Sequence, residues 1–150
     1  MEYKDIKQTA KEVKQQLKKK YPRCKFSIKI QRYSGGQSMH IALMSAPFEV
    51  FSDVDNNVVE MEHLRRSHLT KEEIAKIWND TVEKNHHQVN QYYINDDYML
   101  SNEAKELFKY VRILSDKDNW DNSDIMTDYF DVNYYMDMSI GKWDKGFIKV

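Results

Sequence analysis

Between Phe130 and Ile140 every second residue is large and apolar: Phe130, Val132, Tyr134, Met136, Met138 and Ile140 alternate with Asp131, Asn133, Tyr135, Asp137 and Ser139. Successive side chains of a β-strand point to opposite faces, so this run predicts a long strand with one face in a core and the other in solvent. Such a strand is not stable alone. It requires partner strands and a layer of other elements over its apolar face.

Two shorter runs supply the partners. Phe26, Ile28 and Ile30 alternate with Ser27, Lys29 and Gln31, and Met39, Ile41 and Leu43 repeat the pattern. The intervening Tyr33-Ser34-Gly35-Gly36-Gln37 contains residues that accept positive φ, which predicts an antiparallel hairpin, and Pro47 ends its second strand or sets it at an edge. Residues 48–68 show no clear period and are left unassigned.

The covering layer comes from helical stripes. Tyr3, Ile6, Ala10, Val13, Leu17 and Tyr21 recur at spacings of three and four, a helix that Pro22 stops by disfavouring helical geometry in the residue before it. Thr70 and Glu73 have the form of a capping box ahead of Ile74, Ile77, Trp78 and Val82, which predicts a helix over 71–85 with an extension through His86 and His87. Ser101 or Asn102 caps a third helix carrying Ala104, Leu107, Phe108, Val111 and Leu114. The expected fold class is α+β: a small antiparallel sheet, made of the N-terminal hairpin and the long C-terminal strand, with about three helices on one face.

A chain of 150 residues with 41% apolar and 31% charged residues, four Gly and two Pro suits a single domain over 1–150 with one core. No run approaches the ~18 apolar residues of a membrane span, and the lysine-rich start lacks the apolar stretch of a signal peptide, so the expectation is a soluble protein in the cytoplasm of the host cell. Cys24 is the only cysteine, which excludes an internal disulfide and a thiolate metal site.

Charge is segregated along the chain. Residues 1–33 carry eleven Lys and Arg against Glu2, Asp5 and Glu12, a net charge of +8 within an overall charge of −1. Lys7, Lys11, Lys14 and Lys18, with Lys4 before them, share one face of the first helix, and Lys19, Lys20 and Arg23 continue the basic patch. Like charges at this spacing repel by roughly 0.2–0.5 kcal/mol per pair, so an unrelieved row favours an anionic partner over a plain solvated face. Residues 116–137 hold seven Asp against Lys117. Asp121, Asp124, Asp128, Asp131 and Asp137, with Tyr129 and Tyr135 among them, form a candidate acidic interface in which spaced carboxylates imitate a nucleic-acid backbone.

Catalysis finds no signature. His40, His63, His68, His86 and His87 fall in no zinc-protease spacing, and no Gly-rich phosphate loop, nucleophile elbow or Cys/His arrangement is present. The stretch Asp116 to Asp124 lacks the glycine and the terminal glutamate of an EF-hand loop. No enzyme activity, cofactor or metal is expected, and base-reading motifs are missing as well.

Leu17-Lys18-Lys19-Lys20-Tyr21-Pro22, Lys25-Phe26-Ser27 and Tyr33-Ser34-Gly35-Gly36 together resemble the opening of a large polyvalent protein associated domain, the twenty-ninth of that series. Ser123-Asp124, Asp128 to Tyr135 and Ile140-Gly141-Lys142-Trp143 are similar to that family's far end, whereas Ala46-Pro47 departs from its Gly-Pro. The resemblance implies a protein of phages or conjugative elements and carries no catalytic residues. In that setting a small binding protein is expected to act against host defence, most sharply as an anti-CRISPR inhibitor of an effector nuclease. The alternative is a nucleic-acid-binding accessory protein of the element that uses the basic helix. The candidate partners are a host defence protein or nucleoprotein complex, nucleic acid, or a second copy of the chain; a membrane is not among them.

Overall fold

The computed structural model describes residues 5–34, 36–52, 56–116 and 134–150. Helix α1 (Ile6–Lys20) starts at Asp5, whose carboxylate accepts the Lys7 N–H at 3.3 Å. It stops at Tyr21, whose N–H returns to the Leu17 carbonyl at 2.7 Å immediately before Pro22. The hairpin follows as β1 (Lys25–Tyr33) and β2 (Gly36–Ala46), antiparallel from Tyr33↔Gly36 to Lys25↔Ser45 with an irregularity between Lys25 and Phe26. Strand β2 ends directly before Pro47.

Next come α2 (Asn56–Arg65), α3 (Lys71–Lys84), the short β3 (His87–Val89) and α4 (Asn102–Asp116). The capping box at α3 is complete, with both the Thr70 and the Glu73 side chains bonded to each other's backbone N–H. The expected extension through His86 and His87 does not form. Asn85 turns left-handed at φ 51°, its N–H bonds to the Val82 carbonyl, and His87 enters a strand. Ser101 caps α4 by accepting the Ala104 N–H at 3.2 Å.

The chain closes with β4 (Tyr135–Ile140) and β5 (Ile148–Lys149). The class is α+β, but the sheet is mixed, in the order β1-β2-β4-β3, with β5 joined to the end of β2. Strand β4 runs parallel to β2, Met39 facing Met136 and Leu43 facing Ile140, and antiparallel to β3. The expected wholly antiparallel arrangement is therefore corrected. The chain leaves β2 and passes through α2, α3, β3 and α4 before re-entering beside it, and a crossover of that length lets the returning strand keep its neighbour's direction. Phe130 to Asn133 of the expected long strand lie outside the described residues.

The core lies between one face of this sheet and a layer made by α1 and α4. Ile6, Val13 and Leu17 meet Met39, Ile41, Leu43, Met138 and Ile140, and Leu107, Phe108 and Val111 close the other side, all 3% exposed or less. Full burial of each such side chain stabilises by roughly 1.5–3 kcal/mol. Among the described residues there are four helices, against the three or so expected. Helices α2 and α3 contribute nothing to this core cluster; they pack on one another and flank the loop 90–100. Among the described residues no helix is long and apolar enough to cross a membrane.

Candidate binding surfaces

On α1 the residues that meet the sheet, Ile6, Ala10, Val13 and Leu17, define one stripe, and Lys7, Lys11, Lys14 and Lys18 stand roughly 100° around the axis from it. All four are exposed, and the row is about 16 Å long at 1.5 Å per residue. Asp5, the acid next to the row, is occupied by Arg32, whose Nη2 lies 2.6 Å from its carboxylate. The Lys7 N–H bond, together with Arg32 nearby, holds the Asp5 carboxyl below the usual range.

The remaining predicted basic residues have other positions. Lys18, Lys19 and Lys20 complete the last turn of α1, where cations face the negative end of the helix dipole. Lys20 turns toward α4, its Nζ 4.0 Å from the centroid of the Tyr110 ring and 5.9 Å from that of Tyr21. That cation–π seat removes it from the row. Arg23 lies beyond the helix, exposed, on the rim of a groove of about 570 Å³. Tyr21, Pro22, Cys24 and Phe48 form its apolar floor, and Glu103 and Glu106 its acidic side. Burial pushes the half-buried Cys24 thiol up, away from the thiolate.

Of the acidic candidates, Asp121, Asp124, Asp128, Tyr129 and Asp131 lie outside the described residues. Tyr135 and Asp137 are both exposed on β4, on the face opposite Met136 and Met138. Their strand neighbours on β2 are Ser38 and His40, and His40 in turn pairs with Lys29 of β1. Asp137 thus belongs to a face of mixed charge. Ser139, expected on the solvated side of this strand, is fully buried: its hydroxyl donates to the Gly141 carbonyl at 2.8 Å and lies 3.0 Å from His40 Nε2. Ser139, His40 and Asp137 are thus neighbours, with the serine hydroxyl buried beneath the face.

Two further histidines have structural partners. His63 Nδ1 donates to the Leu69 carbonyl at 2.7 Å, joining α2 to the start of α3. His87 Nε2 stands 2.7 Å from Asp97, whose second oxygen accepts the Met99 N–H at 3.0 Å. Among the described residues no three His, Cys, Asp or Glu side chains gather as metal ligands.

One polar cleft was not visible in the sequence. It encloses about 290 Å³ between α2, α3 and the loop 90–100, and its lining includes Glu62, Arg65, Arg66, His87, Asp97 and Tyr98. The Glu62 carboxylate is only 5% exposed and lies 3.0 Å from Arg66 and 3.7 Å from Arg65. Burial, and the Glu62 charge after it, push the Tyr98 hydroxyl up. Glu62 and Asp97 are 35 positions apart, and no spacing rule connects them.

The family model of the large polyvalent protein associated domain 29 matches residues 4–101. The chain belongs to this family. The matched residues take in α1 with its lysine row, the hairpin, α2, α3, β3 and the polar cleft, whereas the run from Ser123 to Trp143 lies beyond them. Membership makes this a protein associated with phages and mobile elements. No curated protein and no solved structure matches the chain.

Proposed function

We propose that this mobile-element protein acts by non-catalytic binding to a nucleoprotein, with the α1 lysine row as its contact. In its sharpest form it is an anti-defence protein that occupies a host effector nuclease, as an anti-CRISPR inhibitor does. The observation that carries the reading is the exposure of Lys7, Lys11, Lys14 and Lys18 on one helical face inside the family-matched residues. Four aligned ammonium groups repel one another in the free protein and are relieved by an anionic polymer. The aspartates at 116–137 would then meet the basic channel from which the effector's nucleic acid is displaced.

The test is DNA cleavage by purified CRISPR effector complexes at increasing concentrations of this protein. Inhibition that is lost when Asp121, Asp124, Asp128 and Asp131 are all changed to Lys supports the anti-defence form. Retained potency in that variant refutes acidic mimicry.

The second reading, a nucleic-acid-binding accessory protein, is favoured by the same lysine row taken alone. It requires affinity for free nucleic acid in the absence of any host protein, which the anti-defence form does not.

A further inference from the structure

The strand register sorts the sheet into two faces. The face away from α1 and α4 carries Lys29, Gln31 and Tyr33 from β1, Gly36, Ser38 and His40 from β2, and Tyr135 and Asp137 from β4. It is closed at one end, where Ala42 and Ser139 are fully buried, and open at the other, where Tyr33 and Tyr135 are 45% and 46% exposed. The two tyrosines come from opposite ends of the chain and meet over Gly36. A Cβ on that glycine would lie 3.3 Å from the Tyr33 ring edge and 3.5 Å from that of Tyr135.

We propose that this open face binds single-stranded nucleic acid, with Tyr33 and Tyr135 as stacking platforms for bases and Lys29 and Lys142 receiving the phosphates. Exposed aromatic rings beside cations are what a single strand requires, because every base has a π-face and the backbone needs only charge. The missing Cβ at Gly36 lets both ring edges lie close over the backbone while each tyrosine stays nearly half exposed.

The charges agree. Lys29 and Lys142 crowd one another, and after burial it is Lys29 that most lowers the Lys142 ammonium's hold on its proton. A bound phosphate relieves that repulsion. Lys29 is four residues from Tyr33, about 13 Å along an extended strand, so one backbone can run from the tyrosines to the lysine pair. Asp137 is a carboxylate on this face and Asp144 acts on Lys142, and an aspartate accepts a hydrogen bond from the amino group of cytosine. An acidic peptide would use the lysines but not the rings, which sets the two occupants apart.

The surface is separate from the lysine row of α1, and the experiment distinguishes them. Fluorescence anisotropy would be measured with a labelled single-stranded oligonucleotide and with a duplex, for the unaltered protein, Tyr33→Ala, Tyr135→Ala, their Phe counterparts and Lys11→Gln/Lys14→Gln. Each alanine variant is expected to weaken single-strand binding about 5- to 100-fold, the loss of one stacked base, with duplex binding unchanged. The Phe variants should retain affinity, since the ring and not the hydroxyl stacks. The lysine variant should weaken both ligands if the row binds nucleic acid and neither if it does not, and the tyrosine result stands in both cases. Unchanged single-strand binding in the Tyr33→Ala/Tyr135→Ala double variant, equal losses on both ligands, or absence of single-strand binding by the unaltered protein would overturn the proposal. Thermal melting of each variant checks the fold, which half-exposed side chains outside the core should not disturb.

Discussion

Gly141 sits against the carbonyl of Asn85, so closely that a Cβ on the glycine would stand 2.4 Å from that oxygen and 2.7 Å from the Phe147 nitrogen. The Asn85 carbonyl accepts the Phe147 N–H at 2.8 Å, and Gly141 donates its own N–H to Leu43 at 2.9 Å. This contact ties the end of α3 to the exit from β4.

Gly141→Ala should therefore be among the most damaging single changes. The φ of +65° alone costs a residue with a Cβ about 1–2 kcal/mol, and the overlap is with backbone that cannot swing aside. Urea unfolding is expected to show a loss of more than about 2 kcal/mol. A change within about 0.5 kcal/mol, the range of ordinary surface substitutions, would show that the chain does not pass so close.

Thr70→Ala removes one half of the α3 capping box and strands the Glu73 N–H that it satisfies at 3.1 Å. The expected loss is about 1 kcal/mol, or roughly 2–4 °C in melting temperature. An unaltered melting temperature would mean that the first turn of α3 is held by other contacts.

Much of this architecture can be read from the residues, and the exceptions have identifiable causes. Helix α1 follows from its three-four spacing and Pro22, and the hairpin from Tyr33 to Gln37. Alternation in β4 assigns faces but contains no direction, which is why its parallel pairing with β2 was not legible. Helix α2 shows no stripe because Met61 and Leu64 are 67% and 81% exposed while the acidic Glu62 is buried, the reverse of an amphipathic pattern. Strand β3 has three residues, too few for a period. The lysine row is local and therefore visible, whereas the withdrawal of Lys20 depends on Tyr110, 90 positions away.

His40 gives the protein a defined response to acid. Burial lowers its pKa below the ordinary 6.5; Asp137 opposes this, and Lys142, His86 and Lys29 add to it. The unfolded chain thus takes up the proton more readily than the folded one. The stability this imparts is complete above pH 6.5 and is lost as the pH falls from there through the lower folded value. The urea midpoint of the unaltered protein should fall more between pH 7.5 and pH 5 than that of His40→Gln. Asp137→Asn, which removes the opposing charge, should steepen the decline. An equal decline in His40→Gln would assign the acid sensitivity to other groups.

The central claim concerns the lysine row, and salt titration of binding tests it most directly. For a target nucleoprotein or free nucleic acid, log Kd should rise linearly with log salt concentration, with about 0.7–0.9 of slope for each phosphate that a lysine neutralises. Changing Lys7, Lys11, Lys14 and Lys18 to Gln should remove most of that slope and weaken binding at low salt, while the thermal melt shows an intact fold. Binding that is insensitive to salt, or a quadruple variant with the slope of the unaltered protein, would contradict the account.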